Sequence, residues 1–203
     1  MFISSVLALS VAAAAPSGDG WEVAARNEQV TVYARQRPDT GLQEMQAEGL
    51  FDAPPAEVWR ALRDYDHHPQ TMPYVEVARV LHREPGDKVW YVYNVLNLPL
   101  VSRRDYVLRV VDESAWKDGQ GYFKITWRTA NGRAPGKPGK AVRIEVNDGF
   151  WLLQPAEGGT STRAVYYIHT DPGGALPKWI LNRANGTAIP DVWEAVRRAA
   201  KGR

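Results

Sequence analysis

Apolar and polar side chains alternate along most of this chain, and a period of two marks strands with one buried face. Residues 29–37 alternate, Pro38-Asp39-Thr40-Gly41 makes a turn, and residues 42–51 return as a second strand, which predicts an opening hairpin. Asp52-Ala53-Pro54-Pro55-Ala56 reads as a helix start, with Asp52 as cap and a proline in the first turn, where no amide is needed. The helix runs to about Asp64 and carries Val58, Trp59 and Leu62 at helical spacing.

Alternation then resumes. Residues 74–82 and 88–96 flank the turn Glu84-Pro85-Gly86-Asp87, and residues 105–112 and 121–130 flank Lys117-Asp118-Gly119. Phe123, Ile125 and Trp127 fall on one face; Tyr122, Lys124, Thr126 and Arg128 fall on the other. Beyond the Gly/Pro-rich stretch 131–139, Val142, Ile144 and Val146 alternate with Arg143, Glu145 and Asn147. Gly149 predicts a bulge before Phe150-Trp151-Leu152-Leu153. A last strand spans 160–170 and stops at Asp171-Pro172-Gly173-Gly174. Residues 176–201 then carry Leu176, Trp179, Ile180, Val192, Trp193 and Val196 as an apolar stripe. Asn185-Gly186 and Pro190 interrupt it, which predicts a kink or two pieces. The order predicts an α+β fold: a curved antiparallel sheet wrapped around a long carboxy-terminal α-helix, with a short helix after the first hairpin.

Composition narrows the function classes. With 44% hydrophobic and 24% charged residues, the chain is that of a folded soluble domain, and residues 16–203 read as a single one. A net charge of +2 is not the dense basic footprint of a nucleic-acid binder. The absence of cysteine excludes disulfides, thiolate metal sites and cysteine nucleophiles. The 8 Trp and 9 Tyr call for a very large core or an internal apolar binding surface. Residues 1–15 are apolar and uncharged and end in an Ala-x-Ala site, as in a secretory signal peptide, so the chain is expected to be exported to the periplasm or the exterior. No Lys or Arg precedes the apolar run, so an apolar tail or an uncleaved anchor stays open as the alternative.

Reactive motifs are sparse. His67 and His68 are adjacent and point apart in regular structure, with His82 and His169 elsewhere, so no metal is expected. There is no Gly-x-Ser-x-Gly, and the glycines at 132, 136 and 139 do not form a phosphate loop. No cofactor is expected.

Several motifs carry a resemblance together. Trp21-Glu22 with Val32-Tyr33 and Arg35 opens the series, followed by Pro55, Val58-Trp59, Leu62 and Asp64. Leu98-Pro99 precedes Ser102-Arg103-Arg104-Asp105-Tyr106-Val107, and Asp171-Pro172-Gly173-Gly174 leads through Leu176-Pro177-Lys178-Trp179 to Asn182 and Pro190. Over residues 21–200 the chain resembles a START (StAR-related lipid-transfer) domain of the Bet v 1-like helix-grip superfamily. It departs after the first helix, where Tyr74 stands near the place of a usual Trp. The resemblance implies a U-shaped sheet gripping the last helix and one lipid held between them. It assigns Arg104 to the cavity, where it would meet a polar lipid head or a buried acid; outward orientation or a structural ion pair is the alternative reading, since a one-residue shift turns the side chain over. Asp105 points the opposite way and is read as structural, bonding loop amides.

The candidate ligand-binding residues are Asn94, Arg104, Phe123, Trp127, Ile144, Tyr166, Trp179, Ile180 and Asn182. Phe123 serves equally as ordinary core, Asn94 as an edge residue, and Asn182 as a structural one. Arg197, Arg198, Lys201 and Arg203 either touch anionic membrane or complement a helix carboxyl end. The expected function is non-enzymatic binding or transfer of one hydrophobic molecule (sterol, phospholipid or similar) by a monomer in transient membrane contact. Each buried methylene contributes roughly 0.8 kcal/mol, so a ~16-carbon chain costs about 13 kcal/mol to expose. The alternative is a helix-grip enzyme, a polyketide aromatase/cyclase or hydrolase, working in the same cavity.

Overall fold

The computed structural model describes residues 16–99, 101–174, 176 and 178–202, and the side chains of all but 178–187 among these. Among the described residues, eleven strands and three α-helices follow in chain order: β1 (Glu22–Arg26), β2 (Val30–Gln36), β3 (Gln43–Phe51), α1 (Pro55–Arg63), α2 (His68–Thr71), β4 (Val75–Arg83), β5 (Val89–Leu96), β6 (Arg104–Asp112), β7 (Ala115–Lys117), β8 (Gln120–Thr129), β9 (Val142–Arg143), β10 (Val146–Ala156), β11 (Ser161–Asp171) and α3 (Lys178–Ala200). The main sheet runs β1-β2-β3-β11-β10-β8-β6-β5-β4, with β7 beside β8 and β9 beside β6. Every pairing along this path is antiparallel; the two-residue β9 runs parallel to β6.

The helices form one layer that reaches both edges of the sheet. α3 packs on β1 and β2 at one edge and touches α2, which packs on β4 at the other. A sheet of nine strands in series meets one helical layer at both edges by bending around it, and right-handed strand twist supplies that bend. Tyr74 ties the β4 side to α3 through its hydroxyl, 3.2 Å from Asp191 Oδ2. α1 lies over β8, β10 and β11 and packs on α3, which closes one end of the trough. There the aromatic rings meet: Phe51 stacks on Trp193 at 4.4 Å, and Phe123 stacks between Trp59 at 5.0 Å and Trp116 at 4.6 Å.

Four sequence expectations need correction. Asp52 does not cap α1: Pro54 occupies that position without a side-chain bond, and the Asp52 carboxylate takes Lys201 Nζ at 2.6 Å. Gly149 makes no bulge, because β10 pairs without a break with β11 from Val146 to Ala156 and with β8 from Gly149 to Leu153. Glycine is needed there for space: a Cβ would stand 2.3 Å from the Tyr167 carbonyl and 2.4 Å from the Trp127 ring. The terminal helix is continuous from Lys178 to Ala200 with Pro190 inside it, so of the two expected forms, a kink or two pieces, only the second is overturned. Lastly, the sheet gains β1, a strand that Glu22-Val23-Ala24-Ala25-Arg26 does not announce by alternation.

Candidate functional site

Between the bent sheet and α3 lies a cavity of about 900 Å³. At about 30 Å³ per water-sized unit, that encloses about 30 heavy atoms, far more than a packing defect. Its wall follows strand parity. On β6 the side chains of Arg104, Tyr106, Leu108 and Val110 face the lumen. Opposite them on β5 stand Leu96, Asn94 and Val92, in direct register with the first three. Ile189, Val192 and Val196 of α3 form the facing wall.

One stretch of wall is aromatic. Tyr166 lies between Trp127, 6.0 Å away, and Trp151, 4.4 Å away. The Trp127 indole N–H donates to Asn147 Oδ1 at 3.0 Å, which fixes the ring over Gly149. Tyr106 and Tyr166 are each more than nine-tenths buried. Burial holds the Tyr166 phenol well above its usual range and pushes Tyr106 up to about 12, so both stay protonated donors.

Arg104 is the deeply buried charged group of this wall, which the less buried Asp171 also lines. It is 2% exposed, and burial lowers its pKa from the ordinary arginine value. Its partners are backbone carbonyls: Nε donates to Pro172 O at 3.3 Å, one terminal nitrogen to Gly173 O at 3.4 Å, and the other to Ser102 O. Among the described residues no carboxylate forms an ion pair with it. The nearby Asp171 is engaged otherwise, accepting the Gly173 amide at 2.9 Å. A guanidinium kept from water without a counter-charge is held at a cost that an anion from outside the chain would offset.

Asp105 points the other way, as its parity requires. It is fully buried and pairs bidentately with Arg143, at 2.9 Å from Nε and 2.7 Å from a terminal nitrogen. The Tyr93 hydroxyl adds a bond at 3.2 Å. Its partners are side chains, therefore, and not the loop amides expected.

Of the residues singled out from sequence, Asn94, Arg104, Trp127, Ile144 and Tyr166 line the cavity. Phe123 does not: it shares the inner face of β8, but Trp59 and Trp116 cover both sides of its ring, so it belongs to the core. The side chains of Trp179, Ile180 and Asn182 lie outside the described residues. Sequence reasoning passed over Tyr106, Trp151 and Asn147. Parity could have found Tyr106, two residues beyond Arg104, and Trp151, two beyond Gly149. Asn147 reads as outward by alternation with Val146 yet faces in, because on β10 it shares the parity of Gly149 and Trp151. At the carboxy-terminal end, Arg197 and Arg198 pair with Glu194 and Lys201 with Asp52, so these charges are used within the fold.

With this geometry in view, residues 51–197 match the family described as polyketide cyclase / dehydrase and lipid transport. The chain belongs to that family. Over 188 residues it is 24% identical to the phosphatidylcholine transfer protein of Mus musculus, covering 91% of this chain and 86% of that protein. The crystal structure of a STAR-related lipid transfer protein from Xanthomonas axonopodis is similar at a TM-score of 0.77 and 28% identity, over 90% of this chain and 99% of that one. Human StAR-related lipid transfer protein 5 has a TM-score of 0.79 at 18% identity, over 91% and 88% of the two chains. The fold is thus the START helix grip, as the sequence motifs implied, and the family's sheet-and-helix architecture accounts for the placement of the cavity.

Proposed function

We propose that this protein binds and transfers one lipid with an acidic head, holding its apolar body in the cavity and its head at Arg104. The observation that carries the reading is a guanidinium without a carboxylate partner among the described residues, in the wall of a large, mostly apolar chamber. Similarity to lipid-transfer proteins supports carriage of the ligand over its conversion. Arg offers a planar fork suited to phosphate or carboxylate. In this reading the protein works as a monomer, exported under the direction of residues 1–15, and contacts the membrane transiently while the ligand crosses.

Denaturing extraction of the purified protein followed by mass spectrometry is the test. An acid-headed lipid in the wild type, depleted in Arg104→Met and recovered in part in Arg104→Lys, supports the reading, with circular dichroism verifying the fold of each variant. A neutral lipid held equally by all three would refute the role of Arg104. A chemically altered product after incubation would favour the cyclase or hydrolase alternative. Sequencing the amino terminus of material recovered from the periplasm or medium tests export.

A further inference from the structure

Beyond Arg104, the cavity holds a second group of polar side chains whose hydrogen-bonding capacity is not used up among the described residues. Tyr106 and Tyr166 line the lumen, and among the described residues neither hydroxyl makes a protein hydrogen bond. The two phenols stand on β6 and β11 and line the same chamber. Asn94 lies directly across from Tyr106 and uses only its amide nitrogen, on Val92 O at 3.3 Å. All three residues are more than nine-tenths buried. Buried polar groups are almost always satisfied, so a cluster that turns two unbonded hydroxyls and a spare amide oxygen into a ligand chamber marks where polar atoms of a guest belong.

Spacing indicates which atoms. Arg104 and Tyr106 share a face two residues apart, so their Cα atoms are about 6.6 Å apart along the strand. That is the reach of a glycerol unit between its phosphate and an acyl carbonyl. Both phenols are protonated donors, and an ester carbonyl is an acceptor that an ether or a plain alkyl chain lacks. The geometry points to an acyl-ester lipid, with its acidic head on Arg104 and its ester carbonyl on Tyr106 and Tyr166. This rests on the acid-head reading above and adds a determinant that distinguishes ester lipids from ether lipids, free fatty acids and sterols.

The test uses two probes that differ in that oxygen alone: 1-hexadecanoyl lysophosphatidate and its 1-O-hexadecyl counterpart. Binding is read from intrinsic fluorescence, since Trp127 and Trp151 line the chamber. The wild type is expected to bind the ester about tenfold tighter, the effect of one or two net hydrogen bonds. Tyr106→Phe, which removes a hydroxyl that none of the described residues uses, brings the two affinities within about twofold. Arg104→Met weakens both probes alike. Equal affinity of the wild type for ester and ether overturns the carbonyl assignment and leaves the acid-head reading standing. Failure of both probes to bind overturns the two together.

Discussion

Replacing Asp105 by Asn tests whether the inner and outer faces of β6 do separate work. The carboxylate is fully buried and gives Arg143 two charge-assisted bonds at 2.9 and 2.7 Å. Such bonds are worth about 1.5–3 kcal/mol each, and breaking a buried pair costs about 3–5 kcal/mol. Arg143 keeps its bond to Pro135 O at 2.9 Å and its side chain is 12% exposed, so the cost falls at the low end, about 3 kcal/mol. For a chain of this length that lowers Tm by about 6–12 °C. Thermal unfolding followed by circular dichroism reads the loss. The double variant Asp105→Asn/Arg143→Met should lose less than the sum of the single losses, by about 1 kcal/mol or more. Because Asp105 faces away from the cavity and Tyr93 can still bond an amide there, β6 should keep its register and probe affinity measured below the unfolding transition should be unchanged. A Tm drop under about 2 °C, or strictly additive losses, would refute the buried-pair account.

Close contacts elsewhere in the fold set three further outcomes. Gly149→Ala drives a Cβ against the Tyr167 carbonyl and the Trp127 ring, so stability falls by about 1–3 kcal/mol in urea titration and the tryptophan emission shifts as Trp127 leaves its seat; an unchanged spectrum would contradict the contact. Burial acts to raise the Glu44 pKa, but hydrogen bonds from Tyr167 and Arg35 and the Arg35 charge outweigh it and hold the pKa below the ordinary 4.5. Its stabilisation is therefore complete above that value and is lost as pH falls through the folded-state pKa, so the deficit of Glu44→Gln at neutral pH should shrink in acid; a deficit independent of pH from 7 to 3 would contradict this. Trp127→Ala should keep the fold and retain bound lipid about tenfold less tightly in a vesicle competition, from about 1.5 kcal/mol of lost apolar contact; unaltered retention would remove Trp127 from the lining.

Much of this was legible where a local rule decided the outcome. The hairpin of β2 and β3 follows from alternation around a Pro-Asp-Thr-Gly turn, and the opposed directions of Arg104 and Asp105 follow from strand parity. What parity leaves open is the object a side chain meets. Phe123 faces inward as expected, but only the tertiary arrival of Trp59 from α1 and Trp116 from β7 turns it from lining into core. Gly149 carries the same lesson: a strand glycine signals either a bulge or a close approach, and the approaching Trp127 ring comes from another strand. β1 lacked a signal because it is a mostly exposed edge strand with one neighbour and an irregular register at Val23 and Ala25.

The ion pair and the cavity are linked through register. A slip of β6 by one residue would turn Arg104 to the outer side and put Asp105 into the lumen, exchanging a cationic chamber for an anionic one. Apolar packing resists the slip weakly, because Val107 on the outer face and Val110 on the inner are the same residue type and both are buried. Asp105 resists it strongly: Arg143 and Tyr93 reach its carboxylate from β9 and β5, one on each side of β6, and neither could follow it across the sheet. Buried pairs of this kind often contribute little net stability compared with apolar substitutes, and their best-attested use is to fix register. The charge that would select the ligand is thus held in place by an acid on the opposite face that does not contact the lumen.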